Sequence, residues 1–226
     1  MSAKISVIIV AAGRGSRYST VLPKQYELIN GKTILRHTID IFLNHPLTKD
    51  IMCVIHPDDV DLYNQAVTGL SIPYVFGGET RQDSVMNGLK SLKDTDLVFI
   101  HDAARPNLTS DKIDALINSF TDTETFGAIL ALPVTDTVKY VENGFIVKTL
   151  DRQNVFRAQT PQVFRFNAIY DCHIKAPHQN FTDDAALLEH FNHKVKIVLG
   201  DPSNIKITEP NDTKLMSVSS MSLSRL

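Results

Sequence analysis

The chain has 226 residues, 43% of them hydrophobic and 21% charged, enough apolar material for one large domain with a sizeable core rather than two small ones. A formal net charge of -2 at pH 7 and a pI near 6.4 exclude a broad basic surface for nucleic acid, so any anionic ligand must be met by local charge. Cys53 and Cys172 are the only cysteines and form no Cys-x-x-Cys pair, which excludes a disulfide framework or a zinc or redox pair and predicts two buried free thiols.

The first element is the apolar run Ile5 to Val10, which has no cleavage site after it and is interrupted by Gly13-Arg14 well short of membrane-spanning length. It reads as a buried strand in a cytoplasmic protein, with no membrane partner. Directly after it comes Ala11-Ala-Gly-Arg-Gly-Ser-Arg-Tyr18, followed by Pro23-Lys24-Gln25. Glycine at 13 and 15, flanked by Ala11 and Ala12, lets backbone approach a phosphate closely, and Arg17 and Lys24 can neutralise a triphosphate. The plainer reading is an ordinary strand-to-helix turn, but two added cations favour phosphate. Tyr18 stands where a dinucleotide fingerprint needs its third glycine, and the Gly-Lys-Ser/Thr of a P-loop is absent, so a hydride-transfer enzyme and a P-loop kinase are both disfavoured.

Further along, Ile34, Leu35, Thr38, Ile41 and Phe42 recur at helical spacing, and Ile51 to Ile55 reads as a second buried strand. The run Ile72 to Phe76 leads into Gly77-Gly-Glu-Thr-Arg-Gln-Asp-Ser-Val85, which opens a helical stretch. Gly78, Asp83 and Ser84 offer groups that suit a pyrimidine edge, whereas Arg81 reads as a structural anchor; the simpler alternative for the segment is a helix cap. Leu97 to Ile100 is a third strand, ending in His101-Asp-Ala-Ala-Arg-Pro106. Asp102 there can bind Mg²⁺ or accept from ribose hydroxyls, while its plain role would be to cap the next turn. His101 reads as a packed histidine. A helix follows the cap Ser110 through Ile113, Leu116, Ile117 and Phe120, and Ala128 to Leu132 is a fourth strand.

This alternation predicts an α/β fold, Rossmann-like, with a mainly parallel open sheet, helices on both faces, and ligands beyond the carboxyl ends of the strands. It breaks where Val134 to Val141 and Phe145 to Leu150 flank Asn143-Gly144, a tight-turn signal that predicts a protruding β-hairpin arm over about 134–160. A lone ribbon is marginal in water, so packing on another subunit is expected. Arg152 suits a phosphate monoester through its planar fork; Thr137 and Thr160 can contact phosphate or hydroxyls, or serve only as strand residues. Helices around Ala168 to Ile174 and Asp183 to Phe191 precede a strand Val195 to Leu199. In Asn204-Ile-Lys-Ile-Thr208, read as strand-like, Lys206 points either into the crevice or to solvent. No internal repeat or long linker divides the chain, and the serine-rich 217–226 reads as a frayed tail.

Taken in order, these segments, with Ala158-Gln-Thr-Pro-Gln162 and Asn204-Ile-Lys-Ile-Thr208, resemble the 2-C-methyl-D-erythritol 4-phosphate cytidylyltransferases of the non-mevalonate isoprenoid pathway, from Ile5 to about Met216. The ribitol-5-phosphate cytidylyltransferases are a near relative. Thr149 to Gln162 and Phe181-Thr-Asp-Asp-Ala185 look more like the methylerythritol enzymes. The resemblance implies CTP and a polyol phosphate as substrates, with a divalent cation, Mg²⁺, at Asp102. It implies that Arg17 and Lys24 stabilise the transition state and that Arg152 and Lys206 position the acceptor phosphate. Asp102, Ala103, Arg105, Thr137, Thr160 and Thr182 would complete the pocket. A homodimer is also implied, its arm carrying Thr137 and Arg152 into the partner's active site. Some members of the family are fused to a second, zinc-dependent enzyme; this chain is expected to be monofunctional. A non-catalytic nucleotide sensor would keep the glycine turn but has no need of Lys24, Arg152 and Lys206 together.

Overall fold

A computed structural model describes residues 3–14, 22–177, 179, 181–209 and 211–212. Gly15, Arg17, Tyr18 and the tail 217–226 lie outside the described residues. The strands are β1 (Ile5–Val10), β2 (Leu28–Ile29), β3 (Lys32–Thr33), β4 (Thr48–Ile55), β5 (Tyr74–Phe76), β6 (Leu97–Asp102), β7 (Thr125–Pro133), β8 (Lys139–Glu142), β9 (Phe145–Thr149), β10 (Phe156–Arg165) and β11 (Lys194–Leu199). The helices are α1 (Ile34–Leu43), α2 (Val60–Ala66), α3 (Arg81–Ser91), α4 (Ser110–Asn118), α5 (Phe166–Lys175) and α6 (Asp184–His190).

Seven strands form one sheet in the order β11-β7-β10-β6-β1-β4-β5. Every pairing is parallel except the two made by β10, which runs antiparallel to both β6 and β7. Because successive side chains of a strand leave on opposite faces, β1 supplies both halves of the core. Val7 and Ile9 pack with Leu35, Ile39 and Phe42 of α1 and with Ile113 and Leu116 of α4. Ile8 lies on the other side with Val85 and Leu89 of α3, Ile169 of α5 and Leu187 and Leu188 of α6. A strand wedged between helices on both faces has no room for polar alternation, hence the unbroken apolar runs. This is the predicted α/β arrangement.

Several predicted boundaries move. The helix α4 takes Thr109, not Ser110, at its N-cap position, and Thr109 makes no side-chain capping bond. Only Lys139–Glu142 and Phe145–Thr149 pair in the hairpin, around Asn143 (φ 49°) and Gly144 (φ 83°), so the strand expected from Val134 starts later. Both strands of this ribbon are exposed along their whole length. The arm does not run to residue 160, because Phe156, Arg157 and Ala158 already pair with Pro133, Leu132 and Ala131 of β7. β10 was unreadable as a core strand: Gln159, Thr160, Pro161 and Gln162 form its middle, and a proline withdraws a ladder donor. The pairing with β7 shifts register across that stretch. The segment 204–208 is no strand either; it is held by side-chain bonds instead.

In α3, Gly88 allows the helix to settle on the sheet: a Cβ there would lie 2.9 Å from Cγ2 of Ile8 and 3.1 Å from Cγ2 of Val54. Gly88→Ala gains up to about 1 kcal/mol of helix propensity but overpacks a core interface, which costs about 1–3 kcal/mol. The crowding wins, and the urea midpoint of Gly88→Ala should fall with an unchanged m value.

Candidate active site

Four chain segments meet beyond the carboxyl ends of β1, β5 and β6. The turn after β1 is held at its start by the Ala11 N–H donating to the Val54 carbonyl (2.7 Å), and by Gln25, whose Nε2 donates to the carbonyls of Ala11 (2.7 Å) and Gly13 (3.2 Å). Gln25 is buried, so the turn is fastened from below. Sequence reasoning assigned it no role, although it follows Lys24 directly. Gly13 faces open space, as a phosphate-binding turn requires.

The second segment, Gly77 to Ser84, is brought against the first because Gly77 has no side chain: a Cβ there would sit 2.5 Å from that of Ala12. Ser84 is buried; its hydroxyl donates to the Thr80 carbonyl and accepts from the Gly78 N–H, so it shapes the loop that lines the cleft. Asp83 does not serve as expected. Its carboxylate accepts from the N–H and hydroxyl of Thr80 in a reciprocal capping box at the start of α3, and it lines a different depression with Met86 and His173. The cap reading of this segment is correct for Thr80 and Asp83.

Asp102 ends β6 with only 8% of its surface exposed. Lys206 donates to its Oδ2 at 2.7 Å, Arg81 Nε lies 3.5 Å from Oδ1, and Arg105 Nε lies 4.0 Å from Oδ2. Burial alone would raise the carboxyl pKa, but Arg81, Lys206 and Arg105 hold it well below the usual carboxylate range. Burial also works against the charge of Arg81, yet Asp184 at 2.8 Å, followed by Asp102, keeps that guanidinium protonated. Arg81 is thus the anchor that the sequence suggested. Of the two directions open to Lys206, the structure takes the one into the crevice. It is carried there by Asn204, whose Nδ2 donates to the Thr160 carbonyl at 2.9 Å and whose own carbonyl accepts from Arg105 and Gln159. Lys24 arrives from the opposite wall, its Nζ donating to the Ile207 carbonyl at 2.7 Å.

Thr160 is buried and its hydroxyl is used internally. It accepts from the Asp102 N–H (3.1 Å) and donates to Nδ1 of His101 (3.1 Å), while Nε2 of His101 donates to the Arg105 carbonyl (3.0 Å). These bonds brace the end of β6, and Thr160 also lines the second of two adjoining spaces. His101 is fully buried and neutral, as expected.

Two adjoining spaces result. One, of about 250 Å³, is lined by Ala11, Ala12, Gly13, Lys24, Gly78, Ser84 and Ala103; the other, of about 300 Å³, by Arg105, Gln159, Thr160 and Thr182. Arg81, Asp102 and Lys206 line both. Thr137 and Arg152 line neither space: they are exposed at the base of the arm, where Arg152 Nη1 donates to the Thr135 carbonyl. Among the described residues no three carboxylate, histidine or cysteine side chains gather to hold a metal.

Burial holds the His101 imidazole down to about 4 from 6.5. Between those values the unfolded chain binds a proton that the folded one refuses, so this stability is fully present above pH 6.5 and is lost as pH falls toward 4. By pH 5 the loss is about 2 kcal/mol from His101 alone. Urea unfolding at pH 7.5 and 5.0 should show a drop of at least this order, with burial of His173 acting in the same direction.

The comparisons with known proteins agree with this geometry. A family model described as IspD: 2-C-methyl-D-erythritol 4-phosphate cytidylyltransferase matches residues 5–219. The Bifunctional enzyme IspD/IspF of Rhodospirillum rubrum is 47% identical over 210 residues, covering 91% of this chain and 54% of that protein. The chain spans about half the length of the curated relatives it matches. Among solved structures, 2-C-methyl-D-erythritol 4-phosphate cytidylyltransferase (IspD) of Francisella tularensis superposes with a TM-score of 0.81 at 36% identity, over 96% of this chain and 99% of that one. The 4-diphosphocytidyl-2C-methyl-D-erythritol synthase of Anaerococcus prevotii gives 0.83 at 32% identity, over 99% and 97%. The chain therefore belongs to the 2-C-methyl-D-erythritol 4-phosphate cytidylyltransferase family.

Proposed function

We propose that the protein transfers CMP from CTP to 2-C-methyl-D-erythritol 4-phosphate, releasing pyrophosphate, as a cytoplasmic homodimer. The observation that carries this reading is the junction of Arg81, Asp102 and Lys206, shared by two spaces of different character. A nucleotide fits the first, whose glycine turn can take the triphosphate and whose Gly78–Ser84 loop can take the base. A phosphorylated polyol fits the second, with Arg105, Lys206 and Thr182 available to it. An acceptor phosphate oxygen then attacks the α-phosphorus; one P–O bond forms as the bond to the pyrophosphate oxygen breaks. The acceptor has a second pKa of about 6 and needs no protein base, which suits a site whose one buried histidine, His101, has both ring nitrogens engaged.

In this mechanism Lys24 and Arg17 stabilise the crowded charge on the phosphates, and Lys206 aligns the acceptor. Asp102 would hold Mg²⁺: it is ionised, and its Oδ1 is the oxygen less occupied by cations, which fits a metal that takes one carboxylate and completes its shell with phosphate oxygens. The metal's contribution when bound would be charge neutralisation on the leaving pyrophosphate. Thr137 and Arg152 would act in the partner subunit's cleft, delivered by the arm. Support for this comes from the exposed apolar surface of the arm, with Phe145 at 78% exposure and Ile146 at 64%. Two free, buried cysteines accord with a reducing compartment, and no described helix is long and apolar enough to cross a membrane.

Purified protein with CTP and Mg²⁺ should release pyrophosphate on addition of methylerythritol phosphate and not of ribitol 5-phosphate. Release with ribitol phosphate alone would reassign the acceptor, and silence with both would overturn the activity. Lys24→Ala and Arg17→Ala should each lower kcat about 10²–10³-fold with folding intact; normal turnover in either variant would remove that residue from the mechanism.

A further inference from the structure

Arg14 lies within the glycine turn, but its guanidinium is directed to a neighbouring loop. Nη1 donates to Oδ1 of Asp59 at 2.8 Å; Nη2 donates to Oδ2 of Asp58 at 2.7 Å and to Nδ1 of His56 at 2.7 Å. The Asp58 N–H also donates to that same Nδ1, so the imidazole accepts from two donors and carries its proton on Nε2. These three partners form the tight turn that leaves β4, the strand paired beside β1. Arg14 thus bolts the turn after one central strand to the turn after the next.

The energetics of the contact fall unevenly on its partners. Asp58 is three-quarters exposed, and an ion pair there adds little to stability. The Asp59 side chain is 1% exposed, and its Oδ2 has no hydrogen-bond partner. A carboxylate in that position, its pKa already pushed up by burial, cannot lose its guanidinium without either stranding a charge out of water or taking up a proton. The cost of either keeps Arg14, and with it the backbone of Ala11 to Gly13, in one place. Two carboxylates and a histidine also occupy the guanidinium, so its charge is committed away from the cleft.

We propose that Arg14 is a positioning residue for nucleotide binding: anchored by Asp59, Asp58 and His56, it holds Ala11 to Gly13, the start of the glycine turn, where they receive the triphosphate. The proposal rests on the reading of the cleft as a CTP site. Its test is to measure CTP affinity by calorimetry and steady-state kinetics for the full chain, Arg14→Ala, Arg14→Lys, Asp59→Asn and the Arg14→Ala/Asp59→Asn pair. Arg14→Ala should raise both Kd and KM for CTP about tenfold while the acceptor KM stays within about twofold. Arg14→Lys, able to reach one carboxylate, should recover part of the loss. Asp59→Asn should weaken CTP in the same sense and add nothing to Arg14→Ala. If Asp59→Asn leaves CTP binding unchanged or tightens it while Arg14→Ala weakens it, Arg14 touches the triphosphate itself and the anchoring role is wrong. Unchanged CTP affinity in Arg14→Ala would dismiss the residue altogether. Amide hydrogen exchange of the peptide containing Ala11 to Gly13, measured without ligand, judges the anchor independently of substrate: faster exchange in Arg14→Ala is expected, and equal exchange overturns it. A wild-type protein that ignores CTP but shows the exchange difference would fail the reading of the site and leave the anchor standing.

Discussion

An ionised carboxylate, Asp102, buried to within 8% of full coverage, is the constraint around which the other groups are arranged. Asp102 could not remain charged at the end of β6 without cations nearby, and each of its three cations comes from a different part of the chain: Arg81 from the start of α3, Arg105 from the loop after β6, and Lys206 from the late segment. Two of these cations are in turn fixed elsewhere, Arg81 by Asp184 of α6 and Arg105 by the carbonyl of Asn204. Networks of this kind contribute little net stability, since desolvation offsets the attraction. They do determine where charges stand.

Beneath the charges lies a layer of neutral polar groups. Thr160, His101, Gln159 and Asn204 are all buried, and hydrogen bonds join them to backbone and, for Thr160 and His101, to each other. Gln162 extends the layer by accepting from the N–H groups of Asp184 and Ala185 and donating to Asp183, which ties α6 to β10. An apolar β10 would pack as well but would leave the ends of β6 and α6 without partners. The polar middle of the strand therefore belongs to the construction of the site, and its cost in strand propensity is offset by the bonds it makes.

Much of the architecture was legible because it obeys a period. The runs at β4, β6 and β7 are apolar without interruption and that at β1 is broken only by Ser6, while α1 carries its apolar residues on one face, so strand and helix could be told apart and helices on both faces followed. The Asn143-Gly144 turn was legible for a local reason, as both residues take positive φ. By the same rule Asn30-Gly31, with φ of 51° and 81°, marked the short β2–β3 hairpin, and that signal was passed over. β10 carried no period to read, because Gln159 to Gln162 answer to partners distant in sequence. Within the site, Asp102, Lys24, Ser84 and Lys206 were visible as charged or polar residues just beyond strands. Gln25, Gln159 and Asn204 were not, since a buried amide looks on paper like an exposed one.

The sequence by itself determined the alternation of the apolar strands with helices, the Asn143-Gly144 turn and the family, because these depend on local periods, on backbone preferences and on the joint order of short motifs. Only the tertiary structure decided that Asp83 caps a helix, that Thr160 braces a strand, and that Lys206 reaches Asp102 across 104 positions of chain. The physical reason is the same in each case. A side chain's type limits the bonds it can make, but the choice among them belongs to whatever unsatisfied donor, acceptor or charge the fold brings within about 3 Å of it.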